Sequence, residues 1–251
     1  MKTALEGSIT AKQGFKNEDY VVSKFNNWLQ DDDAKQWLQI MNYYLNEIES
    51  VQAEKITGHY NADIQVQVSI KLKKCIDAEN LQVKLVSNAS GFNQIDKRWI
   101  DKYVELWNIP NDITYLLKQY TGEIPPTRTT KDARRTLANE FSESEQQVLL
   151  NWLECNKSLI VTDILKGRGR FAAEWMLVIR RVEDIDDWIL KPINECINFF
   201  GNGSITISSR GSVSIGRITM QRKGGDGGRD TAKMLQFKIN PTELFNKQDI
   251  K

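Results

Sequence analysis

Alternation of apolar and polar residues between positions 63 and 72 constrains the fold more than any other feature. The apolar positions are Ile64, Val66, Val68, Ile70 and Leu72. Because a period of two puts successive side chains on opposite faces of an extended chain, this segment predicts a half-buried β-strand. Leu81, Val83 and Leu85 repeat the pattern and predict a second strand, with a turn near residues 77–80.

Three polar side chains are predicted to share one face of these strands. Asp63 alternates with the apolar residues of the first strand, as do Gln82 and Lys84 with those of the second. If both apolar faces pack on one core, all three side chains emerge on the other face. Adjacent strands lie about 4.8 Å apart, so this group can surround one cation. Mg²⁺ prefers hard oxygen ligands, here the Asp63 carboxylate, the Gln82 amide oxygen and the Val83 carbonyl.

This group of residues suits hydrolysis of a phosphodiester bond. A bound metal lowers the pKa of its water and offsets charge that grows on the phosphate. Lys84 would orient or help to deprotonate that water and add positive charge at the transition state. The pattern also arises by chance on the polar side of hairpins, so alone it leaves a solvated strand face as the alternative.

The remaining chain mixes helices with short strands. Helical spacing occupies six segments, at 15–30, 31–41, 94–107, 111–120, 131–154 and 188–199. A strand is predicted at 175–182, and short alternating runs between glycines after residue 200 predict a small antiparallel sheet. A soft domain boundary is predicted between about residues 121 and 171. It divides the chain into a predicted catalytic half, 1–120, and a predicted DNA-recognition half, 121–251. One compact domain is the alternative.

Residue usage excludes several classes of protein. The single histidine, His59, excludes a zinc site built on two histidines, and we interpret it as structural. Three cysteines without disulfide or metal-ligand spacing are expected to be reduced thiols. No apolar run approaches the roughly 20 residues of a membrane span. Residues 1–13 lack a signal-peptide apolar core, so we expect a cytoplasmic protein with no membrane partner.

Positive charge is concentrated near the C-terminus. The net charge of the whole chain is only +1, so the molecule as a whole is not a basic nucleic-acid binder. Residues 201–238 carry seven lysines and arginines against Asp226 and Asp230, a net charge of +5. Such a region is typical of a surface that binds phosphates, and a solvated surface is the alternative.

Eight strings of residues, spread almost from end to end, carry a family resemblance. They are Gly14–Glu18, Gln82–Asn88, Gly91–Lys97, Thr121–Glu123, Thr162–Leu165, Phe171–Trp175, Gln221–Asp226 and Met234–Lys238. On these strings the chain resembles the type II restriction endonucleases that cut GCGC after the first G, within the PD-(D/E)xK nuclease superfamily. Related monomeric enzymes read CCGG or CCGC.

The resemblance implies a fold and a reaction. The fold would be α/β (α+β), with a restriction-endonuclease-like central mixed β-sheet flanked by helices and a small C-terminal antiparallel sheet. Glutamine replaces the usual acidic residue before x-Lys in this branch, which matches Gln82. The Ser-Asp of the first motif is Ala62-Asp63 here, which keeps the carboxylate and loses any contact of that serine.

The resemblance also implies partners and products. Mg²⁺ would be the cofactor, double-stranded DNA the substrate, and 5′-phosphate ends the product at a GC-only palindrome, GCGC. The family implies a monomer with one active site, with a weak dimer as the alternative. A DNA methyltransferase would be a genetic partner only, since it protects the host.

Base recognition is predicted in two segments. Gln94 and Lys97 can reach guanine or phosphate acceptors from a helix predicted to open near Gln94, and Phe92 can wedge between base pairs. Packing of Phe92 in the core is the alternative. In the second segment, arginine bidentate to guanine is the commonest specific contact, which favours Arg222. Lys223, Arg229, Asn93 and Gln236, from or near the strings above, complete the predicted DNA-binding set.

Residues 166–170 and Glu18 have no place in the predicted site, and two other functions are compatible with the sequence. Residues 166–170 are a third basic stretch, assigned to phosphates, and Glu18 is interpreted as an exposed helical residue rather than a metal neighbour. A nuclease fold that binds DNA without cutting it is permitted by Gln82 in place of a carboxylate. A protein–protein adaptor would leave the basic C-terminal region unexplained.

Overall fold

The computed structural model describes residues 17–56, 65–73, 75–87, 91–182, 185–225 and 228–245. These residues divide between two compact units, each made of separate segments of the chain. The mixed-sheet unit takes residues 17–93, 166–196 and 240–245, and the antiparallel-sheet unit takes 94–165 and 197–239. The functional division into 1–120 and 121–251 stays a prediction.

The helices and strands have the following bounds. The helices are α1 (17–26), α2 (Asp32–Ile40), α3 (Ile100–Trp107), α4 (Asn111–Thr121), α5 (Glu143–Lys166) and α6 (Ile193–Gly201). The strands are β1 (Ile48–Ile56), β2 (Gln65–Leu72), β3 (Ile76–Val86), β4 (Asn93–Arg98), β5 (Trp175–Val182), β6 (Ile185–Pro192), β7 (Ile205–Ile207), β8 (Val213–Ile215), β9 (Ile218–Arg222) and β10 (Leu235–Ile239).

The mixed-sheet unit is built on a five-stranded sheet of order β1-β2-β3-β5-β6. The β3–β5 pair is parallel and the other pairs are antiparallel. Its main core contains Val21, Phe25, Trp37, Leu38, Val66, Val68, Ile70, Leu81, Val83, Leu177 and Ile179. Helix α2 begins where the acidic residues predict, because the Asp31 carboxylate accepts a hydrogen bond from the Ala34 amide at 2.9 Å.

The antiparallel-sheet unit has a second five-stranded sheet, of order β4-β10-β9-β8-β7. Tyr103 and Trp107 of α3 stack at 4.4 Å between ring centroids, and both meet the ring of Phe237 on β10 edge to face. The Tyr120 hydroxyl of α4 donates to the Met220 carbonyl of β9 at 2.9 Å, which fixes that helix to the sheet. These contacts give the sheet one aromatic-lined apolar face.

The predicted fold class is confirmed, a mixed sheet with helices and a second antiparallel sheet, but four local predictions are wrong. Residues 131–142 contain only a short 3-10 helix at Ala138–Glu140, so the helix predicted from residue 131 begins at Glu143. The segment from Gln94 is strand β4, and the helix begins only at Ile100. Strand β6 runs through Pro192, so the helix predicted from residue 188 begins at Ile193. Residues 77–80 lie inside β3, because the antiparallel pairing with β2 extends to Lys71 and Ile76. For the segment from Gln94, the distant strand β10 is the neighbour in the sheet, whereas β3 and β6 pair with the strands that precede them in the sequence.

Other local predictions are confirmed. Helix α5 follows Ser142, whose hydroxyl accepts from the Glu145 amide at 3.3 Å, as the capping interpretation requires. Strands β7 to β10 form where the short alternating runs stand. Among the described residues, no helix is long and apolar enough to cross a membrane.

Candidate active site and DNA-binding residues

Strand β3 carries the three described residues of the predicted metal and catalytic group, Gln82, Val83 and Lys84. Leu81 and Val83 belong to the main core, so the side chains of Gln82 and Lys84 project from the opposite face of the sheet. This is the face that the alternation predicts. Both side chains are nevertheless buried, each with 4% of its surface exposed.

Apolar residues of the neighbouring strand β5 stand beside the buried side chains of Gln82 and Lys84. In the parallel β3–β5 pair, Gln82 stands beside Met176 and Lys84 beside Val178. Both neighbours are completely buried. Water is therefore largely excluded around the amide and the ammonium group, and electrostatic interactions are stronger there than on an open strand face.

Asn80 supports the same face one step earlier on β3. Its side-chain oxygen accepts from Gln67 Nε2 at 3.0 Å, and its amide nitrogen donates to the carbonyls of Arg170 and Ala172, at 3.1 and 3.3 Å. These bonds tie β3 to β2 and to the segment before β5. The backbone that presents Gln82 and Lys84 is thus held on both sides.

The Gln82 amide oxygen is the feature that best fits a cation. This atom is buried and has no hydrogen-bond partner among the described residues. An unpaired buried carbonyl oxygen is costly, and a hard metal ion is a partner that would satisfy it. The Val83 side chain packs in the core, so only the backbone carbonyl of that residue remains for the predicted metal contact.

The predicted carboxylate ligand, Asp63, lies outside the described residues, as does His59. Strand β2 is described from Gln65, which stands opposite Gln82 in the antiparallel pair. Asp63 precedes Gln65 by two residues in the sequence. Among the residues that the structure describes, no group of three or more His, Cys, Asp and Glu side chains could hold a metal. The roles of Asp63, Gln82, Val83 and Lys84 therefore stay predictions.

The interpretation of Glu18 as an exposed residue is wrong. Its side chain is only 7% exposed on α1. Because this glutamate is buried, it is not the solvent-exposed helical residue that the sequence predicts.

The basic stretch 166–170 lies within the part of the chain that the structure describes. The guanidinium of Arg170 lies 4.4 Å from the centroid of the Phe171 ring.

The two predicted DNA-reading segments lie in one sheet. Asn93, Gln94 and Lys97 belong to β4, and Gln236 belongs to β10, the neighbouring strand. Gln236 pairs with Gln221 of β9, and Arg222 ends that strand. Sequence analysis placed Gln94 and Lys97 on a helix, so it could not predict this shared sheet.

Phe92, immediately before β4, is 56% exposed. Core packing, which was the alternative for this side chain, is therefore wrong. A large aromatic group left in water beside a strand of polar residues is available to contact a partner. Its predicted wedge role stays a prediction.

Arg222 is held more tightly than a residue at a loop tip. Its Nε donates to the Ala232 carbonyl at 3.0 Å, and the Gly224 amide donates to the same carbonyl at 2.9 Å. Burial, followed by the charges of Arg134 and Arg135, lowers the pKa of Arg222. The Lys223 amide donates to Met234 at 2.8 Å, and Arg229 is exposed before a short 3-10 helix. Arg134 and Arg135 are not among the residues predicted to bind DNA, although an Arg-Arg pair close to Lys131 is a usable signal in the sequence.

Comparison with known proteins decides the family. Residues 41–245 match the family described as R.HinP1I restriction endonuclease. The chain belongs to the R.HinP1I restriction endonuclease family. It is accordingly a type II site-specific deoxyribonuclease, and enzymes of this kind generally use divalent metal ions. The predicted restriction endonuclease identity is thus confirmed at the level of the family.

A solved structure shares the fold. The crystal structure of restriction endonuclease MspI in complex with its cognate DNA is similar, with a TM-score of 0.61 and 15% sequence identity. The similarity covers 95% of this chain and 100% of the MspI chain. No curated protein matches the chain.

Proposed function

We propose that the chain is a Mg²⁺-dependent endonuclease that cuts double-stranded DNA at a short GC-only palindrome, GCGC, and leaves 5′-phosphate ends. The observation that carries this proposal is the pair Gln82 and Lys84, both buried on the non-core face of β3 in a chain of this family. The buried amide oxygen of Gln82 suits a metal ion, and the buried ammonium group of Lys84 suits a phosphate.

The metal site would be formed by Asp63, the Gln82 amide oxygen and the Val83 carbonyl. These are hard oxygen ligands, which Mg²⁺ prefers, and the unpartnered Gln82 oxygen supports the assignment. When bound, the ion would lower the pKa of a water and offset charge on the phosphate.

Lys84 would act on the water and the phosphate. Its ammonium group is enclosed beside Val178, so its charge is poorly screened. A preoriented cation in such a place stabilises negative charge that grows on the phosphate during attack, and it can hold the attacking water by a hydrogen bond.

A plasmid digest tests the catalytic assignment. Replacing Asp63 with Ala, or Lys84 with Met, should lower cleavage in Mg²⁺ by at least about 10²-fold, because an electrostatic stabiliser of the reaction is lost. Lys71→Ala is the matched control, since Lys71 is an exposed lysine on β2 that pairs with Glu49 at 2.8 Å. Cleavage at the wild-type rate by Lys84→Met would contradict the mechanism.

DNA recognition would use the strand and loop residues already described. Phe92 would wedge between base pairs, while Asn93, Gln94, Lys97 and Gln236 would contact bases or phosphates from the antiparallel sheet. Arg222, Lys223 and Arg229 would complete the set. Mapping the fragment ends from a digest of a known genome would give the recognition sequence and the cut position, and a site other than GCGC would contradict that part.

The alternative is a DNA-binding protein with a nuclease-like fold that does not cut. Gln82 in place of a carboxylate is the observation that favours it. Retardation of DNA in a gel, without discrete fragments at any Mg²⁺ concentration, would support this alternative against the enzyme. We also propose a monomer, with a cognate methyltransferase as a genetic partner, and sedimentation with and without DNA would test the monomer.

A further inference from the structure

Two distant segments of the antiparallel-sheet unit carry three arginines whose charges act on one another. Arg134 and Arg135 lie between α4 and α5, and Arg222 ends β9. Asp132 is the acidic residue of this group: its carboxylate contacts Arg134 at 2.8 Å and Arg135 at 3.3 Å. Among the residues that the structure describes, three positive charges therefore stand against this one carboxylate.

The end of α4 fixes the position of the arginine pair. The Thr136 amide donates to the Gln119 carbonyl at 3.0 Å. Gly122 ends the helix with φ of +80°, and a Cβ there would lie 2.4 Å from the Arg134 carbonyl oxygen. The pair is thus packed against the backbone of the helix, and only glycine permits this approach.

The same helix is fixed to the strand that carries Arg222. Tyr120, next to Gln119, donates from its hydroxyl to the Met220 carbonyl on β9. Arg222 follows Met220 by two residues, and its Nε is bonded to Ala232. The backbone therefore orders both parts of the arginine group before any partner arrives.

The charge of this group is only partly compensated. Its two arginine contacts lower the pKa of Asp132 to about 2, with the Arg134 hydrogen bond as the largest cause, so the carboxylate is fully ionised at neutral pH. It is also committed to two guanidinium groups. Burial, and after it the charges of Arg134 and Arg135, lowers the pKa of Arg222, so the nearby arginines add to the cost of its positive charge.

Arg128 gives an internal comparison. It forms two short bonds to one carboxylate, that of Glu145, at 2.9 and 2.7 Å. That arrangement is an ion pair between one cation and one anion, and it stabilises the connection to α5 without excess charge. Arg134 forms the same kind of two-bond pair with Asp132, at 2.8 and 3.1 Å, but that carboxylate also contacts Arg135. One carboxylate therefore serves two arginines, and the positive charge of the group is not balanced as that of Arg128 is.

We propose that Arg134, Arg135 and Arg222 together bind a backbone phosphate of the DNA duplex. The planar guanidinium fork matches two phosphate oxygens, and a phosphodiester brings the negative charge that the group lacks. Arg134, whose side chain is 70% exposed, is the member that reaches into solvent. Arg222 then positions the duplex, and its predicted guanine contact is replaced by a phosphate contact. This inference rests on the proposed function, because it takes duplex DNA as the ligand.

Salt-dependent binding tests the proposal on the full-length protein. The affinity of the protein for two duplexes of equal length, one with GCGC and one without it, is measured in EDTA. The salt concentration is varied between about 50 and 200 mM, a range over which phosphate contacts change the affinity strongly. Replacing Arg134 with Gln should weaken binding to both duplexes about fivefold near 0.15 M salt, and it should flatten the salt slope by about one phosphate contact. Asp132→Asn should tighten binding to both.

Matched variants separate the phosphate role from others. Arg128→Gln should leave both affinities and the salt slope unchanged, because the Glu145 carboxylate balances that arginine alone, whereas Asp132 is shared by Arg134 and Arg135. Arg135→Lys keeps the charge, so it should retain most of the affinity that Arg135→Gln loses, and urea unfolding confirms that each variant is folded. Cleavage in Mg²⁺ is measured separately from binding. If the wild-type protein did not cut DNA, the proposed function would be refuted, while the salt dependence of binding would still test the phosphate contact.

Two outcomes would overturn the inference. The first is an Arg134→Gln variant with the wild-type salt slope on both duplexes. The second is an Arg222→Gln variant that loses affinity only for the GCGC duplex, which would return Arg222 to base recognition. Equal losses on both duplexes by both variants would support the phosphate contact.

Discussion

Replacement of Asp163 with Ala should destabilise the antiparallel-sheet unit more than removal of a surface carboxylate such as Asp101. Asp163 lies on α5 and is 3% exposed. Its Oδ2 accepts from Trp107 Nε1 at 2.9 Å and from Arg98 Nη1 at 3.2 Å. One carboxylate oxygen therefore joins α5 to α3 and to strand β4.

The magnitude follows from what the substitution leaves behind. Trp107 Nε1 would be a buried donor without its acceptor, and the Arg98 side chain, 16% exposed, would lose a charge partner. Removing one partner of a buried ion pair costs about 3–5 kcal/mol. Asp96 reduces the loss, because its Oδ1 lies 3.5 Å from Arg98 Nε. We therefore expect about 3 kcal/mol for Asp163→Ala, the low end of that range. Asp163→Asn, which keeps an acceptor, should cost about 1–2 kcal/mol.

Urea unfolding at neutral pH measures these differences. Asp101→Ala is the control, since Asp101 is 66% exposed and pairs with Lys118 at the surface, where a pair contributes about 0–1 kcal/mol. Equal losses of unfolding free energy for Asp163→Ala and Asp101→Ala would refute the buried-network reasoning. Because Arg98 ends β4, the strand of Gln94 and Lys97, Asp163→Ala should also weaken selective DNA binding relative to Asp101→Ala.

Three further predictions concern single positions. Phe92→Ala should leave the urea midpoint unchanged, because the side chain is 56% exposed, while it lowers duplex affinity and bending measured by fluorescence energy transfer. The Arg128 hydrogen bond lowers the pKa of Glu145 to about 2, below its unfolded value, so the stability from this pair is present above pH 4.5 and lost as the pH falls toward 2. Glu145→Gln should therefore flatten the fall of thermal stability over that range, and an unchanged acid limb would contradict the pairing. Gly122→Ala should destabilise by more than about 1 kcal/mol in urea, because φ is +80° and the new Cβ would meet the Arg134 carbonyl.

The sequence predicts those parts of the fold in which local periodicity and burial agree. Strand β2 alternates because one of its faces packs in the core, and the same rule assigns Gln82 and Lys84 to the opposite face of β3. For strand β4, local periodicity predicts the wrong structure, a helix from Gln94. Its partner β10 lies about 140 residues later, and that pairing overrides the helical spacing of the segment from Gln94.

The environment of the candidate site was less predictable than its residues. Sequence periodicity places Lys84 on a polar face but does not indicate that buried Val178, some 90 residues later, stands beside it in the sheet. The arginine group was missed for a related reason. Arg134 and Arg222 belong to segments that are joined through Tyr120 of α4 and Met220 of β9, a tertiary contact with no local signal.

Burial separates the two chemistries that a site-specific nuclease requires. A group that acts on the scissile phosphate benefits from exclusion of water, because screening weakens every charge interaction that distinguishes the transition state. Lys84, at 4% exposure, is in such an environment. A group that holds DNA while the protein searches must exchange with salt ions and water, or the protein would not leave non-specific sites. Arg134, with a side chain 70% exposed, is in that second environment. A chain with a net charge of only +1 can thus bind a polyanion, because the positions of its cations matter more than their number.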